Sequence, residues 1–131
     1  MLRHIRSEGG DKMFVNVSNH PSELWLDKQK ECALCYGDIV DVAFPAIHKD
    51  YDSNKYDELV ELYYERIMGI CPDVVMVQGE FIFTYRLVCK LKVSGVRVVS
   101  APSERICQEF KDENNVIHKH SLFEFIDFVD Y

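Results

Sequence analysis

The chain has 131 residues, a formal net charge of −7, and 47% hydrophobic and 12% aromatic residues. This length and apolar content predict one domain with a core of its own, and the negative charge argues against a broad basic surface for duplex DNA. No apolar run reaches the ~18 residues that a membrane span needs, so we expect no membrane partner.

Residues 1–12 are polar and charged and contain Gly9-Gly10. They predict a flexible leader without a signal peptide, followed by a single domain over residues 13–131. Within that domain, short apolar runs alternate with helical patterns. The first predicted elements are strand Met13–Ser18, a helix capped by Ser22 or Asp27 that ends at Gly37, strand Ile39–Phe44, and a helix capped by Ser53 or Asn54 that ends at Gly69. They are followed by strand Val74–Val77, helix Glu80–Val93, strand Val96–Ser100, a hairpin of Ile106–Phe110 with Val116–His120, and a terminal strand over Phe123–Val129.

This βαβαβαβ order predicts an α/β fold. We expect a Rossmann-like three-layer domain with a mainly parallel sheet and a small antiparallel C-terminal extension.

The five cysteines are odd in number, and Cys32 and Cys35 form a C-x-x-C pair inside a helical pattern. No second pair and no metal-spaced histidine accompany them. We therefore expect reduced thiols in a cytoplasmic protein, with no metal and no cofactor. His118 and His120 share one face of a strand, which is compatible with a metal site or with a solvated face.

Polar residues follow three of the predicted strands. Asn19 and His20 follow the first, Gln78-Gly79-Glu80-Phe81 follows the third, and Ser103-Glu104-Arg105 follows the fourth as a loop. The carboxyl ends of parallel strands share one edge of the sheet. If the winding reverses between the first and third strands, these loops border a ligand crevice.

Each of these residues has a chemical interpretation and a structural alternative. Gly79 would permit a positive φ and a close approach of backbone to ligand, and the helix that follows would offer free N–H groups to a phosphate. Ser103 and Arg105 would donate to phosphate oxygens, and His20 would transfer a proton near neutral pH. Alternatively, Gly79 is a simple turn residue, Arg105 forms a surface ion pair, and His20 belongs to a helix cap.

Glu80 would complement the dipole of the following helix, which opposes phosphate binding there. It would otherwise orient Arg105 or accept a ribose hydroxyl. Tyr85 and Trp25 are either core or interface residues or platforms on which a base stacks. The sequence lacks G-x-G-x-x-G, G-x-x-x-x-G-K-[ST] and H-E-x-x-H, which disfavours a conventional dinucleotide enzyme, a P-loop ATPase and a zincin.

Several short blocks resemble small CRISPR-associated Rossmann-like proteins of type III systems. The similarity extends over roughly Phe14 to Tyr131, essentially the whole domain. The blocks are Ser18-Asn19-His20-Pro21 followed by Gln29, Val77-Gln78-Gly79-Glu80-Phe81, Thr84-Tyr85, Gly95, Ser103-Glu104-Arg105 and the Phe-rich ending at Tyr131.

The resemblance implies binding of cyclic oligoadenylate and its linearisation by a ring nuclease. Such proteins are typically metal-independent homodimers with the ligand on the two-fold axis. The expected catalytic residues are His20, Ser103 and Arg105, and the expected ligand-binding residues are Asn19, Gln78, Gly79, Glu80, Phe81 and Tyr85. A sensor that binds the ring without cleaving it, and a small α/β interaction protein without a nucleotide site, remain the alternatives.

Overall fold

The strands and helices follow one another largely as the alternation of apolar runs predicts. The computed structural model describes residues 3–5 and 12–131, apart from the side chains of residues 3–5, 104–108 and 120–123. The strands are β1 (Arg3–Ile5), β2 (Met13–Ser18), β3 (Asp38–Ala43), β4 (Val74–Gln78), β5 (Arg97–Ser100), β6 (Ser103–Lys111), β7 (Ile117–Phe125) and β8 (Val129–Asp130). The helices are α1 (Asp27–Tyr36), α2 (Ser53–Met68) and α3 (Phe81–Val93), with a 3-10 turn at Ser22–Leu24 before α1.

Six strands form one sheet in the order β1-β3-β2-β4-β5-β8. The four inner strands are parallel, and β1 and β8 pair antiparallel at the two edges. From β2 the chain passes to β3 on one side and then returns to place β4 on the other side of β2. The winding therefore reverses between β2 and β4. This confirms the Rossmann-like α/β fold and puts a switch point where a crevice is expected.

The inner strands are buried on both faces because helices cover the sheet on both sides. On one face, Val15 and Val17 of β2 pack in a cluster with residues of α2 and α3. On the other face, Phe14 of β2 and Met76 of β4 pack with Trp25, Ala33 of α1 and aromatic residues near the C-terminus. Successive side chains of a strand alternate between faces, so each inner strand contributes to both clusters.

Part of the predicted leader joins the sheet. Arg3–Ile5 pairs antiparallel with β3, in register with residues 39–41. The prediction for Met1, Leu2 and residues 6–11 lies outside the described residues.

The C-terminal segment differs from the prediction in two ways. Ser103-Glu104-Arg105 is the start of a strand and not a loop, because β6 pairs with β7 from Ser103↔Phe125 to Lys111↔Ile117 in a separate two-stranded sheet. The predicted hairpin is confirmed, and both of its strands extend further from the turn than predicted. Its turn contains Asn115 with φ 62°, a conformation that asparagine tolerates well.

The predicted continuous strand over Phe123–Val129 is wrong. Phe125 ends β7, and Phe128 turns inward so that the two rings lie 5.0 Å apart between centroids. Asp127 Oδ1 accepts a hydrogen bond from the Phe128 N–H at 2.8 Å, which stabilises the break. Burial of both rings determines the conformation here, although the alternation of apolar and acidic residues predicts a continuous strand. The chain then forms β8, which pairs with β5.

Two helices start near the predicted residues but with other caps. Asp52, and not Ser53 or Asn54, caps α2 by accepting the Lys55 N–H at 2.8 Å. Glu80 is the cap of α3 and not its first residue. The longest helix among residues 12–131, α2, has 16 residues, and none of the three is long and apolar enough to cross a bilayer.

Candidate functional site

A crevice of about 300 Å³ opens at the switch point, beyond the ends of β2 and β4. One wall is formed by the segment between β2 and α1, and the opposite wall by the start of β6 and the end of β7. The lining residues are Ser18, His20, Leu24, Trp25, Leu26, Gln29, Met76, Gln78, Ala101, Ser103 and Phe125. The crevice thus brings together His20, Gln78 and Ser103, which the sequence placed after three different strands.

The crevice wall is mainly apolar. Trp25 is buried, and its ring meets Phe14 edge to face at 6.2 Å between centroids. Met76 and Phe125 belong to the same buried cluster. A rigid aromatic and aliphatic wall with a few polar groups is the usual composition of a small-molecule site, and the volume is at the lower end of the usual range.

Hydrogen bonds to its carbonyl and from its N–H hold the backbone of His20. Its carbonyl accepts from Asn16 Nδ2 at 2.9 Å and from Trp25 Nε1 at 3.0 Å, and its N–H donates to Ser18 Oγ at 3.2 Å. The loop after β2 is therefore fixed, although His20 itself is exposed. A fixed backbone limits the positions from which the imidazole reaches a ligand in the crevice.

Asn16 and Asp41 form the buried polar pair behind this loop. Asn16, 1% exposed, donates to Asp41 Oδ1 at 2.9 Å and accepts from Ser18 Oγ at 2.7 Å. Asp41 Oδ2 accepts from the N–H and Oγ of Ser22 at 3.1 and 3.0 Å. A buried carboxylate is retained only when it is well hydrogen-bonded, and these bonds tie β2, β3 and the 3-10 turn together.

Gln78 is held by its amide oxygen. Oε1 accepts from the Ala101 N–H at 2.9 Å and from Ser100 Oγ at 3.3 Å, and both donors lie at the end of β5. The side chain therefore bridges the carboxyl ends of β4 and β5 at the floor of the crevice. Ser103, the first residue of β6, is exposed at the opposite wall.

Asn19 lies beside this crevice and not in its lining. It lines a neighbouring cavity of about 210 Å³ with Pro21, Asp41 and Phe44, on the other side of the His20 loop. The two cavities share Ser18.

Glu80 already occupies the helix start where an anion was expected. Its Oε1 accepts from the N–H groups of Ile82 and, at 3.2 Å, of Phe83, and its Oε2 accepts from the Tyr56 hydroxyl. This hydrogen bond to Glu80 raises the pKa of Tyr56 above its ordinary value. Glu80 is thus the cap of α3, and a phosphate at this helix start would have to displace its carboxylate.

Gly79 does not adopt the left-handed backbone conformation that the sequence suggested, since Gly95 is the one glycine in that region within the described residues. A Cβ at Gly79 would lie 2.4 Å from the Phe44 ring. The close approach that requires glycine is therefore to Phe44, whose ring in turn meets Phe83 edge to face.

Phe81 and Tyr85 are on the exposed side of α3, with 89% and 72% of their surfaces accessible. Neither lines the crevice, and Tyr85 borders a shallow groove between α2 and α3. The Arg105 side chain lies outside the described residues, and its backbone pairs with Phe123 in the hairpin.

Comparison with known families identifies the family of this chain. The sequence pattern of the Uncharacterized protein MJ1673 family matches residues 12–129. The chain belongs to this family. No curated protein and no solved structure shows significant similarity to it.

In this member of the MJ1673 family, sequence reasoning missed Asn16 and Asp41 as the support of the His20 loop. Both are polar residues inside strongly apolar strands, and that interruption was the available signal. Gln29 was noted only as part of a resemblance and Trp25 only as a core or stacking residue, yet both line the crevice.

A metal centre is not evident in the part of this MJ1673 family member that the structure describes. No three His, Cys, Asp or Glu side chains there are grouped to hold an ion. His118 instead contacts Asp112 Oδ2 at 2.8 Å, and this hydrogen bond lowers the pKa of Asp112.

Proposed function

We propose that the chain binds cyclic oligoadenylate at the switch-point crevice and linearises it, as a metal-independent ring nuclease of type III CRISPR antiviral signalling. The observation that carries this proposal is the convergence of His20, Gln78 and Ser103 on one crevice with an aromatic wall. The resemblance of the sequence to small CRISPR-associated proteins supplies the ligand class.

The size of the crevice fits part of one nucleotide unit of the ring and not the whole ring. A volume of about 300 Å³ accommodates a base with part of its ribose. The other units would lie outside it, against surfaces that include the neighbouring cavity at Asn19. This favours a ligand that extends along the edge of the sheet.

The cleavage chemistry requires two proton movements. The ribose 2′-oxygen attacks the adjacent phosphorus, the bond to the 5′-oxygen breaks, and the products end in a 2′,3′-cyclic phosphate and a 5′-hydroxyl. The 2′-hydroxyl loses a proton and the leaving oxygen gains one. His20, the only titratable side chain among the described lining residues, is suited to one of these transfers. Ser103 and Arg105 are assigned to the phosphate oxygens.

A direct test is to incubate the protein with cyclic oligoadenylates of three to six units and to separate the products by chromatography, with and without chelator. We expect linear products that form at the same rate with EDTA. For His20→Ala, we expect a fall in turnover of about 10²–10⁴-fold with little change in affinity if His20 transfers a proton. Binding and turnover would fall together if it only positions the ribose.

The second candidate is a protein that binds the same ring without cleaving it. It is favoured by the absence of Lys and Arg from the described lining residues, since a crevice without cations stabilises little negative charge at phosphorus. Product analysis separates the two, because only a nuclease linearises the ring. Arg105→Ala should weaken ligand binding by about 1.5–3 kcal/mol in either case, the range for hydrogen bonds to charged groups.

We further propose that the protein is a cytoplasmic homodimer. A cyclic ligand with two-fold symmetry suits a site on a two-fold axis, where each copy would supply one crevice. Light scattering at tens of micromolar, with ligand present, should give the mass of a dimer, and a monomer would contradict the proposal.

A further inference from the structure

We propose that Gln78 is the residue that selects adenine in the crevice, by donating from Nε2 to a ring nitrogen of the base. The proposal rests on the proposed function, because it names how one base of the ring is recognised at that site. Three features carry it: the fixed orientation of the Gln78 amide, the apolar walls and the position of Gln29.

The orientation of the Gln78 amide follows from its neighbours. The Ala101 backbone N–H needs an acceptor, and Oε1 of Gln78 supplies it at 2.9 Å. The Ser100 hydroxyl donates to the same oxygen at 3.3 Å, so both acceptor positions of the amide oxygen are used. Gln78 therefore offers a ligand its Nε2 donor and not its oxygen.

The Nε2 group has no acceptor among the side chains and backbone groups that the structure describes, although Gln78 lines the crevice. Trp25, Met76 and Phe125, which share the lining, offer no acceptor there, because the indole donates to His20 and the others are apolar. Gln78 is exposed, so its Nε2 is accessible from the crevice. A ligand that excludes solvent from this group must present an acceptor or leave the donor without a partner.

Gln29 supplies the complementary group. Its Nε2 points to Met76 Sδ at 4.0 Å, and its Oε1 accepts no hydrogen bond from the described residues. The crevice thus presents a donor from Gln78 and an acceptor from Gln29. Adenine matches this pair on its Watson–Crick edge and on its Hoogsteen edge. On both edges the N6 amino group donates to Gln29, and N1 or N7 accepts from Gln78. Guanine carries an acceptor, O6, where the amino group of adenine lies, and O6 would face the oxygen of Gln29.

In the variant Gln78→Glu, residue 78 accepts a hydrogen bond from the ligand instead of donating one. The hydrogen bond from the Ala101 N–H is kept. One carboxylate oxygen still accepts the Ala101 N–H, and the other places an acceptor where Nε2 was. Guanine offers two donors, N1–H and the 2-amino group, to such a carboxylate. The base preference should therefore reverse.

The experiment uses AMP and GMP as probes and the indole N–H signal of Trp25, the single tryptophan of the chain, as the reporter in ¹⁵N NMR. We expect the parent to bind AMP about tenfold more tightly than GMP, the effect of about one hydrogen bond. Gln78→Glu should bind GMP more tightly than AMP. Gln29→Glu, which adds the same charge to the same crevice but keeps an acceptor, should retain the preference for AMP.

A second measurement covers the case in which Gln78→Glu does not fold. The parent is titrated with 1-deaza- and 7-deaza-AMP, each of which lacks one ring acceptor, and one of them should bind about tenfold more weakly than AMP. Equal binding of AMP and both analogues would overturn the proposal.

The outcomes separate this proposal from the proposed function. If the parent binds cyclic oligoadenylate but Gln78→Glu keeps the preference for AMP, the assignment of Gln78 is wrong and the function stands. If the parent binds neither AMP nor any cyclic oligoadenylate, both are wrong.

Discussion

Asn16 and Asp41 show at the scale of single residues how the fold prepares the site. Each interrupts an apolar strand, and together they convert the loop after β2 into a fixed support for His20. Leaving these polar groups unsatisfied would cost more than the bonds contribute, because both residues are buried. The site and the stability of the sheet therefore depend on the same bonds.

Asp41→Ala should lower the free energy of unfolding by about 2–4 kcal/mol, since Asn16 and Ser22 would lose the acceptor of their buried donors. Urea denaturation followed by circular dichroism measures it. Asp50→Ala, at an exposed acid in a loop, is the control and should change stability by less than about 0.5 kcal/mol. Equal effects of the two changes would show that the buried network contributes little.

Gly79→Ala tests whether this glycine serves the fold or the ligand. The added Cβ would collide with the Phe44 ring, so we expect a loss of about 1–3 kcal/mol in unfolding free energy without any ligand. Gly69→Ala, where the nearest atoms are 3.4 Å away and the backbone is helical, should be nearly neutral. The double variant Gly79→Ala/Phe44→Leu replaces the ring with a smaller side chain and should recover part of the lost unfolding free energy. A stable Gly79→Ala that fails only in binding would instead assign Gly79 to the ligand.

At the scale of elements, β8 closes the sheet with only two residues and relies on side chains to stay there. Arg97 of β5 donates from Nε to Asp130 Oδ1 at 2.7 Å and from Nη2 to Oδ2 at 3.2 Å. The guanidinium also lies over the Tyr36 ring at 5.1 Å. The hydrogen bond from Arg97 lowers the pKa of Asp130 below its ordinary value of 3.8.

This lowered pKa predicts a pH-dependent contribution of Asp130. A carboxyl with a depressed pKa in the folded state stabilises the protein above its unfolded pKa and loses that effect as the pH falls through the folded value. Asp130→Asn should therefore melt at a lower temperature than the parent at pH 7, and the difference should shrink below about pH 4. Scanning calorimetry from pH 7 to pH 3 measures it. A difference that is constant across this range would contradict the assignment.

Elements with strong local patterns were predictable from the sequence. The apolar runs located β2 to β5, and the helical spacing of Tyr56, Val60, Tyr63 and Ile67 located α2. The start of β6 was missed because Ser103 to Arg105 is polar and pairs only with the distant β7. Glu80 was misread because glutamate is not among the preferred helix caps, and its acceptance of the Tyr56 hydroxyl joins residues 24 positions apart.

At the scale of the whole molecule, the order of the strands determines where the site lies. His20, Gln78 and Ser103 are far apart in sequence and meet because β2 and β4 end side by side at the switch point. That convergence could be predicted from topology. Which of the predicted residues line the crevice could not be predicted from topology. Glu80 caps α3, Phe81 and Tyr85 lie on the exposed side of that helix, and Asn19 lines the neighbouring cavity.

The central claim is that this crevice is the site where cyclic oligoadenylate binds. The most direct measurement is a titration of ¹⁵N-labelled protein with cyclic oligoadenylates of three to six units. We predict saturable shifts of the Trp25 indole N–H and the Ala101 amide with at least one ring, while the amide of Val93, at the far end of α3, stays unchanged. The account would be contradicted if a cyclic oligoadenylate binds without shifting the Trp25 and Ala101 signals. It would also be contradicted if no cyclic oligoadenylate binds at tens of micromolar.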